Sequence, residues 1–167
     1  MRDIVLIAHD IRSCHNVGSL LRTAEGLGVS KVIFTGYTPY PTDSNDTRLP
    51  HISAKLTQQI SKTALGAESL QAWEHVDDIT VVLKDLKDEG YALIGLEQSP
   101  TATPLPQYHG NHKIALLLGR EVEGIETVLL AAMDECIFIP MYGEKESFNV
   151  VQAAAMALYA LRFRNTD

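Results

Sequence analysis

Cysteine is almost missing from this chain: its 167 residues include only Cys14 and Cys136. Two are too few for a disulfide framework, and neither stands in a C-x-x-C or other ligand spacing. No metal site is therefore expected, and a reduced, cytoplasmic protein is the economical reading. Long hydrophobic runs are absent too. No apolar stretch approaches the roughly 20 residues that cross a bilayer, which argues against a membrane protein. At the N-terminus, Arg2 and Asp3 run straight into Ile4, Val5, Leu6 and Ile7, which reads as a strand and not as a signal peptide. Positive charge is scarce as well, with 14 Lys and Arg against 21 Asp and Glu, a net charge of −7. That argues against a surface gripping nucleic acid everywhere, because cations at phosphates dominate such affinity. A local basic patch, or one assembled between subunits, remains compatible.

What is present is ordinary globular composition, 46% hydrophobic and 21% charged, at a length that buries one domain's core. Residues 2–8 form a short apolar run, a buried strand. From Asn16 the period changes to that of a helix, with Val17, Leu20, Leu21, Ala24 and Leu27 on one face and Gly28 as the stop. Residues 31–35 are a second buried strand. Strand, helix and strand within 35 residues make a βαβ unit and imply a parallel sheet. Residues 36–49 carry Pro39, Pro41 and many small polar side chains, a long loop of the kind that is functional or mobile. Helices are expected weakly over 51–66 and clearly over 77–89, and strands over 91–96, 113–118 and 136–139. Residues 97–111 are a proline-rich loop, 126–133 a short helix and 147–164 a closing helix. The expectation is one α/β domain over residues 1–167, with a mostly parallel sheet of five or six strands flanked by helices.

Ligands of such sheets sit beyond the carboxyl ends of the strands, and the densest polar clusters of the chain fall there. The first runs from Asn16 to Arg22, Thr23 and Ala24; alone, Asn16 reads as a helix cap and Arg22 as a solvated surface residue. The second is Leu118, Gly119, Arg120, Glu121, Val122, Glu123 and Gly124. Its glycine pair suggests a phosphate loop, but no Lys-Ser/Thr follows Gly124, so it is not a Walker loop. The third runs from Ile139 to Asn149, where Ser147 and Asn149 can cap the closing helix. That helix, with Val150, Val151, Ala153, Ala154, Ala155, Ala157, Leu158 and Leu161, is apolar almost all round and so reads as buried.

Taken together, N-x-x-x-x-x-R-T-A, L-G-x-E-x-x-G and I-P-M-x-G-x-x-x-S-F-N-V resemble the three ordered motifs of the SpoU (TrmH-type) RNA ribose 2′-O-methyltransferases of the SPOUT superfamily. The resemblance covers nearly the whole chain. It implies a C-terminal deep trefoil knot, S-adenosylmethionine as cofactor, a homodimer, and methylation of a ribose 2′-hydroxyl in structured RNA, tRNA ahead of rRNA. It places Leu96, Gly119, Ile139, Met141 and Phe148 at the cofactor, where the family more often has Leu in place of Phe148. Arg22 becomes the catalytic residue, with Asn16, Glu121, Ser147 and Asn149 orienting it and the ribose. A guanidinium stays protonated, so Arg22 is expected to bind phosphate and stabilise the 2′-oxygen rather than act as the base. Arg12, Arg22 and Arg120 are the leading RNA contacts, with Arg2, Lys31 and Arg48 behind them and His9, His15 and His51 as possible helpers. No RNA-binding extension is expected. Two other readings stay open: a non-catalytic RNA-binding or assembly factor with the same fold, and a flavodoxin-like nucleotide-binding protein.

Overall fold

Strands that are apolar on both faces need cover on both faces, and the architecture follows from that requirement. The computed structural model describes residues 2–163. Strand β1 (Asp3–His9) leads to helix α1 (Cys14–Gly26), β2 (Lys31–Thr35), α2 (Pro50–Ala64) and β3 (Trp73–Val76). Then come α3 (Ile79–Asp88), β4 (Ala92–Leu96), β5 (Thr103–Pro104), β6 (Lys113–Leu118), α4 (Thr127–Leu130), β7 (Glu135–Phe138) and α5 (Val150–Phe163). The seven strands form one sheet in the order β3-β2-β1-β6-β4-β7-β5, and every pair is parallel. Side chains alternate between two cores, as a period of two requires. Ile4, Leu6, Ile114 and Leu116 face α1, α2 and α5, whereas Val5, Ile7, Ala115 and Leu117 face α3 and α4.

The sheet has seven strands and not five or six. The two that the sequence hides are β3 and β5, edge strands of four and two residues without a fully buried side chain between them. An edge strand packs on few neighbours and needs no apolar run, and Pro104 is tolerated because an edge residue can leave its nitrogen unpaired. Helix α1 also begins two residues before Asn16, because the Ser13 hydroxyl is the cap and accepts the Asn16 N–H at 3.2 Å. Its end is as expected. Gly28 takes φ +63°, with Gly28 N–H donating to the Glu25 carbonyl and Val29 N–H to the Ala24 carbonyl. That is a Schellman closure, which glycine adopts without strain.

Helix α5 departs most from expectation. Only Ala154, Ala157, Leu158 and Leu161 are buried, while Tyr159 and Phe163 stand 61% and 64% exposed with their rings 4.8 Å apart. Uniform apolarity promised burial; in a single chain the sheet covers one side only. Arg164, with which the closing helix was expected to end, lies outside the described residues. Two arginines pin this helix. The buried Arg2 donates to the Leu161 carbonyl at 2.8 Å and to the Gly110 carbonyl at 3.1 Å. Arg162 donates to the carbonyls of Leu27, Gly28 and Arg2. Arg2 is thus a structural residue and not a phosphate contact. The same holds for Arg48, whose guanidinium is held by Asp46 and by the carbonyls of Tyr40 and Pro41. Lys31 pairs with Glu74 at 3.3 Å. No helix among the described residues is long and apolar enough to cross a membrane.

Candidate active site

The carboxyl ends of β4, β6 and β7 open into a cavity of about 180 Å³. Three stretches far apart in sequence line it, together with the first turn of α5. Leu96 ends β4, with Glu97 and Gln98 after it; Leu118 ends β6, with residues 119–124 after it; and Phe138 ends β7, with Ile139, Met141, Ser147 and Phe148 after it and Val150 and Ala153 on α5. All five residues expected at a cofactor, Leu96, Gly119, Ile139, Met141 and Phe148, meet in this one space.

The 119–124 loop is tight because its ends bond to each other. Arg120 N–H donates to the Gly124 carbonyl and Gly124 N–H to the Arg120 carbonyl, both at 3.1 Å. A Cβ on Gly119 would come within 2.5 Å of the Gly124 carbonyl carbon and oxygen, so only glycine lets the two backbones close. Gly124 itself sits at φ +72°, and a Cβ there would strike the Glu97 carboxylate. That carboxylate accepts the Ile125 N–H at 2.9 Å through one oxygen and the Gln98 N–H at 2.9 Å through the other. The sequence reading did not single out Glu97. The signal was available, since it is an acid directly after an apolar strand, at the carboxyl end where such sheets bind their ligands.

Glu121 ties this loop to the start of α1. Its carboxylate accepts from the backbone N–H groups of Arg12 (3.1 Å) and Ser13 (3.2 Å) and from the Asn16 side-chain amide (3.2 Å). Burial pushes the carboxyl up, but these donors outweigh it and hold the group below its ordinary value. Asn16 is therefore no cap; its amide joins two of the three motifs. Ser147 lines the cavity, whereas Asn149 does not. The Asn149 side-chain oxygen caps α5, accepting the Val151 N–H at 2.9 Å.

Arg22 lies elsewhere. It is on the exposed face of α1, away from the cavity of its own chain, and among the described residues it makes no hydrogen bond or ion pair. Arg120 is not a free cation: its guanidinium meets Asp10 at 3.3 Å and also Glu126. Arg12 is the opposite case, a side chain 68% exposed whose one salt bridge runs to Glu123 at 3.6 Å. Asp10, at the carboxyl end of β1, holds φ +55°, which is uncommon for a residue with a side chain. What holds it there is the Arg120 contact together with the Tyr37 N–H, which donates to it at 3.1 Å. His9 is buried, with Nδ1 2.9 Å from the Thr35 hydroxyl. Desolvation lowers its pKa against the pull of Asp10. Neither His15 nor His51 lines the cavity.

Comparison with known proteins places this geometry. The model of the SpoU rRNA Methylase family matches residues 3–159. A 23S rRNA (guanosine-2′-O-)-methyltransferase RlmB of Neisseria meningitidis is 32% identical over 161 residues, 95% of this chain. The match spans only 58% of that relative's length. Among solved structures, the AdoMet-bound rRNA methyltransferase of Sinorhizobium meliloti superposes with a TM-score of 0.80 at 18% identity, over 96% of this chain and 56% of its own. A structure described for the 2-OH methylation of C/U34 on tRNA gives a TM-score of 0.75 at 20% identity, over 96% and 95% of the two chains.

Proposed function

The chain belongs to the SpoU rRNA methylase family, and from that premise we propose that it methylates a ribose 2′-hydroxyl in structured RNA, using S-adenosylmethionine. The observation that carries this is the cavity: residues expected at a cofactor from the second and third motifs and from the end of β4 line one space. Its chemistry fits the proposed cofactor. Leu96, Ile139, Met141 and Phe148 offer apolar walls to an adenine, and the loop at Gly119 leaves backbone open for hydrogen bonds. Glu97, Glu121 and Glu123 set three carboxylates against Arg120, which Asp10 and Glu126 already neutralise. A net negative wall suits a sulfonium cation and repels the phosphates of ATP or a flavin nucleotide, so it disfavours the flavodoxin-like reading.

When bound, the cofactor supplies an electrophilic methyl group on that sulfonium. The protein's part is positioning, exclusion of water and stabilisation of charge on the attacking oxygen. Glu121 holds the start of α1 against the cavity loop, and Ser147 is within the lining to orient a ribose. Arg22 does not line its own chain's cavity. We assign it to the cavity of a second copy in a homodimer, where it binds phosphate and stabilises the 2′-oxygen. The exposed apolar side of α5, with Tyr159 and Phe163, supports such a dimer. The knot is proposed likewise: after β7 the chain returns through the 141–149 loop, and α5 packs on α1 on the same face of the sheet. The proposal keeps tRNA ahead of rRNA; one structural neighbour is described for methylation on tRNA and a curated relative is named for 23S rRNA.

Incubation with labelled S-adenosylmethionine and total RNA, followed by mapping of 2′-O-methyl positions, tests the proposal. Incorporation at a defined ribose is expected. Binding of S-adenosylmethionine without incorporation into any RNA pool would favour the non-catalytic factor.

A further inference from the structure

A second cleft, of about 450 Å³, opens at the same edge of the sheet beyond β1, β2 and β3. Its volume falls in the range of small-molecule sites, about 300–1,000 Å³. Arg12, Tyr37, Tyr40, Arg48, His75 and Asp77 supply its polar and aromatic lining. The two cavities share a wall, because the Arg12 and Ser13 N–H groups are the ones Glu121 accepts. We propose that this cleft binds a nucleotide of the RNA strand next to the one being methylated, its base on the Tyr37 ring and its phosphate on Arg12. The proposal rests on the reading of RNA as the substrate.

The roles of the lining residues follow from what each already touches. His75 stacks on Tyr40 with ring centroids 4.0 Å apart and planes 20° apart, and the Arg48 guanidinium lies 3.6 Å from the same ring centre. Groups that close cannot share one face, so both faces of Tyr40 are covered and Tyr40 cannot receive a base. Arg48 is likewise committed, to Asp46 and two carbonyls, and forms a rigid floor. Tyr37 differs: it is 50% exposed and lines the opening. The Arg12 guanidinium lies beside Tyr37, which holds its pKa above the ordinary value. Its ion pair with Glu123 joins two side chains that are 68% and 49% exposed. Such a surface pair contributes little and is readily exchanged for a phosphate. An aromatic ring beside an exposed arginine is the arrangement by which proteins hold single-stranded nucleic acid without reading its sequence.

The chain contains one tryptophan, and it neighbours an aromatic ring of this cleft's lining. Trp73 lies on β3 with its ring centroid 6.3 Å from that of Tyr40. The full-length protein is titrated with the four nucleoside monophosphates and with a mixed-sequence pentaribonucleotide while Trp73 fluorescence is followed. S-adenosylmethionine affinity is measured on the same samples by calorimetry. A saturable change is expected, with the pentaribonucleotide tighter than any monophosphate, because only a strand engages both cavities. Tyr37→Ala should weaken the pentaribonucleotide about tenfold, the loss of one stacked base. Asp77→Asn should tighten it about twofold, because it removes a screened negative charge from a side chain that is 97% exposed. A gain of affinity is a result that structural damage would not produce. Trp73 fluorescence flat with all five probes while S-adenosylmethionine still binds overturns the proposal and spares the cofactor assignment. Tighter binding of a monophosphate than of the strand, or unchanged affinity in both variants, also overturns it. Loss of S-adenosylmethionine binding alone refutes the cofactor assignment and not this one.

Discussion

Replacing Glu121 by alanine removes the carboxylate that hydrogen-bonds the cavity loop to the backbone at the start of α1. The loss is two backbone donors and one amide, at 3.1, 3.2 and 3.2 Å. Hydrogen bonds to an ionised acceptor contribute about 1.5–3 kcal/mol each when buried. Here the donors are partly exposed and water replaces the carboxylate, so the contribution is smaller, about 1 kcal/mol per backbone donor and less for the amide. The expected destabilisation is about 2–3 kcal/mol, a fall in Tm of roughly 4–12 °C for a chain of this size. Urea unfolding should show a lower midpoint at unchanged slope, since the surface exposed on unfolding stays the same. Glu121→Gln keeps the shape and one acceptor and should lose about half as much. The sign with pH is fixed by the depressed pKa. The stabilisation is complete above the unfolded carboxyl value, near about 4.3, and is lost as pH falls through the lower folded value. The gap between wild type and Glu121→Gln should therefore be constant at neutral pH and close below about pH 4. A Tm for Glu121→Ala within error of wild type, or a gap that widens in acid, would refute the reasoning.

Arg22→Ala should abolish methyl transfer to RNA while calorimetric S-adenosylmethionine affinity stays within about twofold, since Arg22 lies outside its own chain's cavity; turnover near wild type sinks its catalytic role. Gly119→Ala must push back the Gly124 backbone, 2.5 Å from the new Cβ, and should weaken cofactor binding by about tenfold or more with a native circular dichroism spectrum; unchanged affinity would mean the loop does not form the site. Tyr159→Asp combined with Phe163→Asp places charge on the exposed side of α5 and should shift light scattering from dimer to monomer, with loss of transfer because Arg22 is then parted from the partner's cavity; a dimer that persists would place the interface elsewhere.

Much of this protein is local and was legible along the chain. Strands β1, β2, β4 and β6 are central, buried on both faces, and so had to be written as continuous apolar runs. Helix α1 had its period, its face and its glycine stop. The pocket-lining positions Leu96, Gly119, Ile139, Met141 and Phe148 were named through the family resemblance, and they lie in segments that a parallel sheet brings to the carboxyl ends of its strands. Burial of α5 was misjudged for a physical reason: composition states which side chains prefer an apolar neighbour, but not whether that neighbour is the same chain or another.

What only the tertiary structure decided is pairing across distance. Asn16 and Glu121, 105 residues apart, become one hydrogen bond, and Glu97 becomes the support of a loop that starts more than twenty residues later. Arg2, Arg48 and Arg120 read alike in sequence as cations, yet in the fold carbonyls and carboxylates claim them. Arg12 keeps a largely exposed side chain and Arg22 stays unpaired among the described residues. A charge's availability depends on what surrounds it, and for this chain the surroundings come from strands that the sequence order scatters and the sheet order brings together.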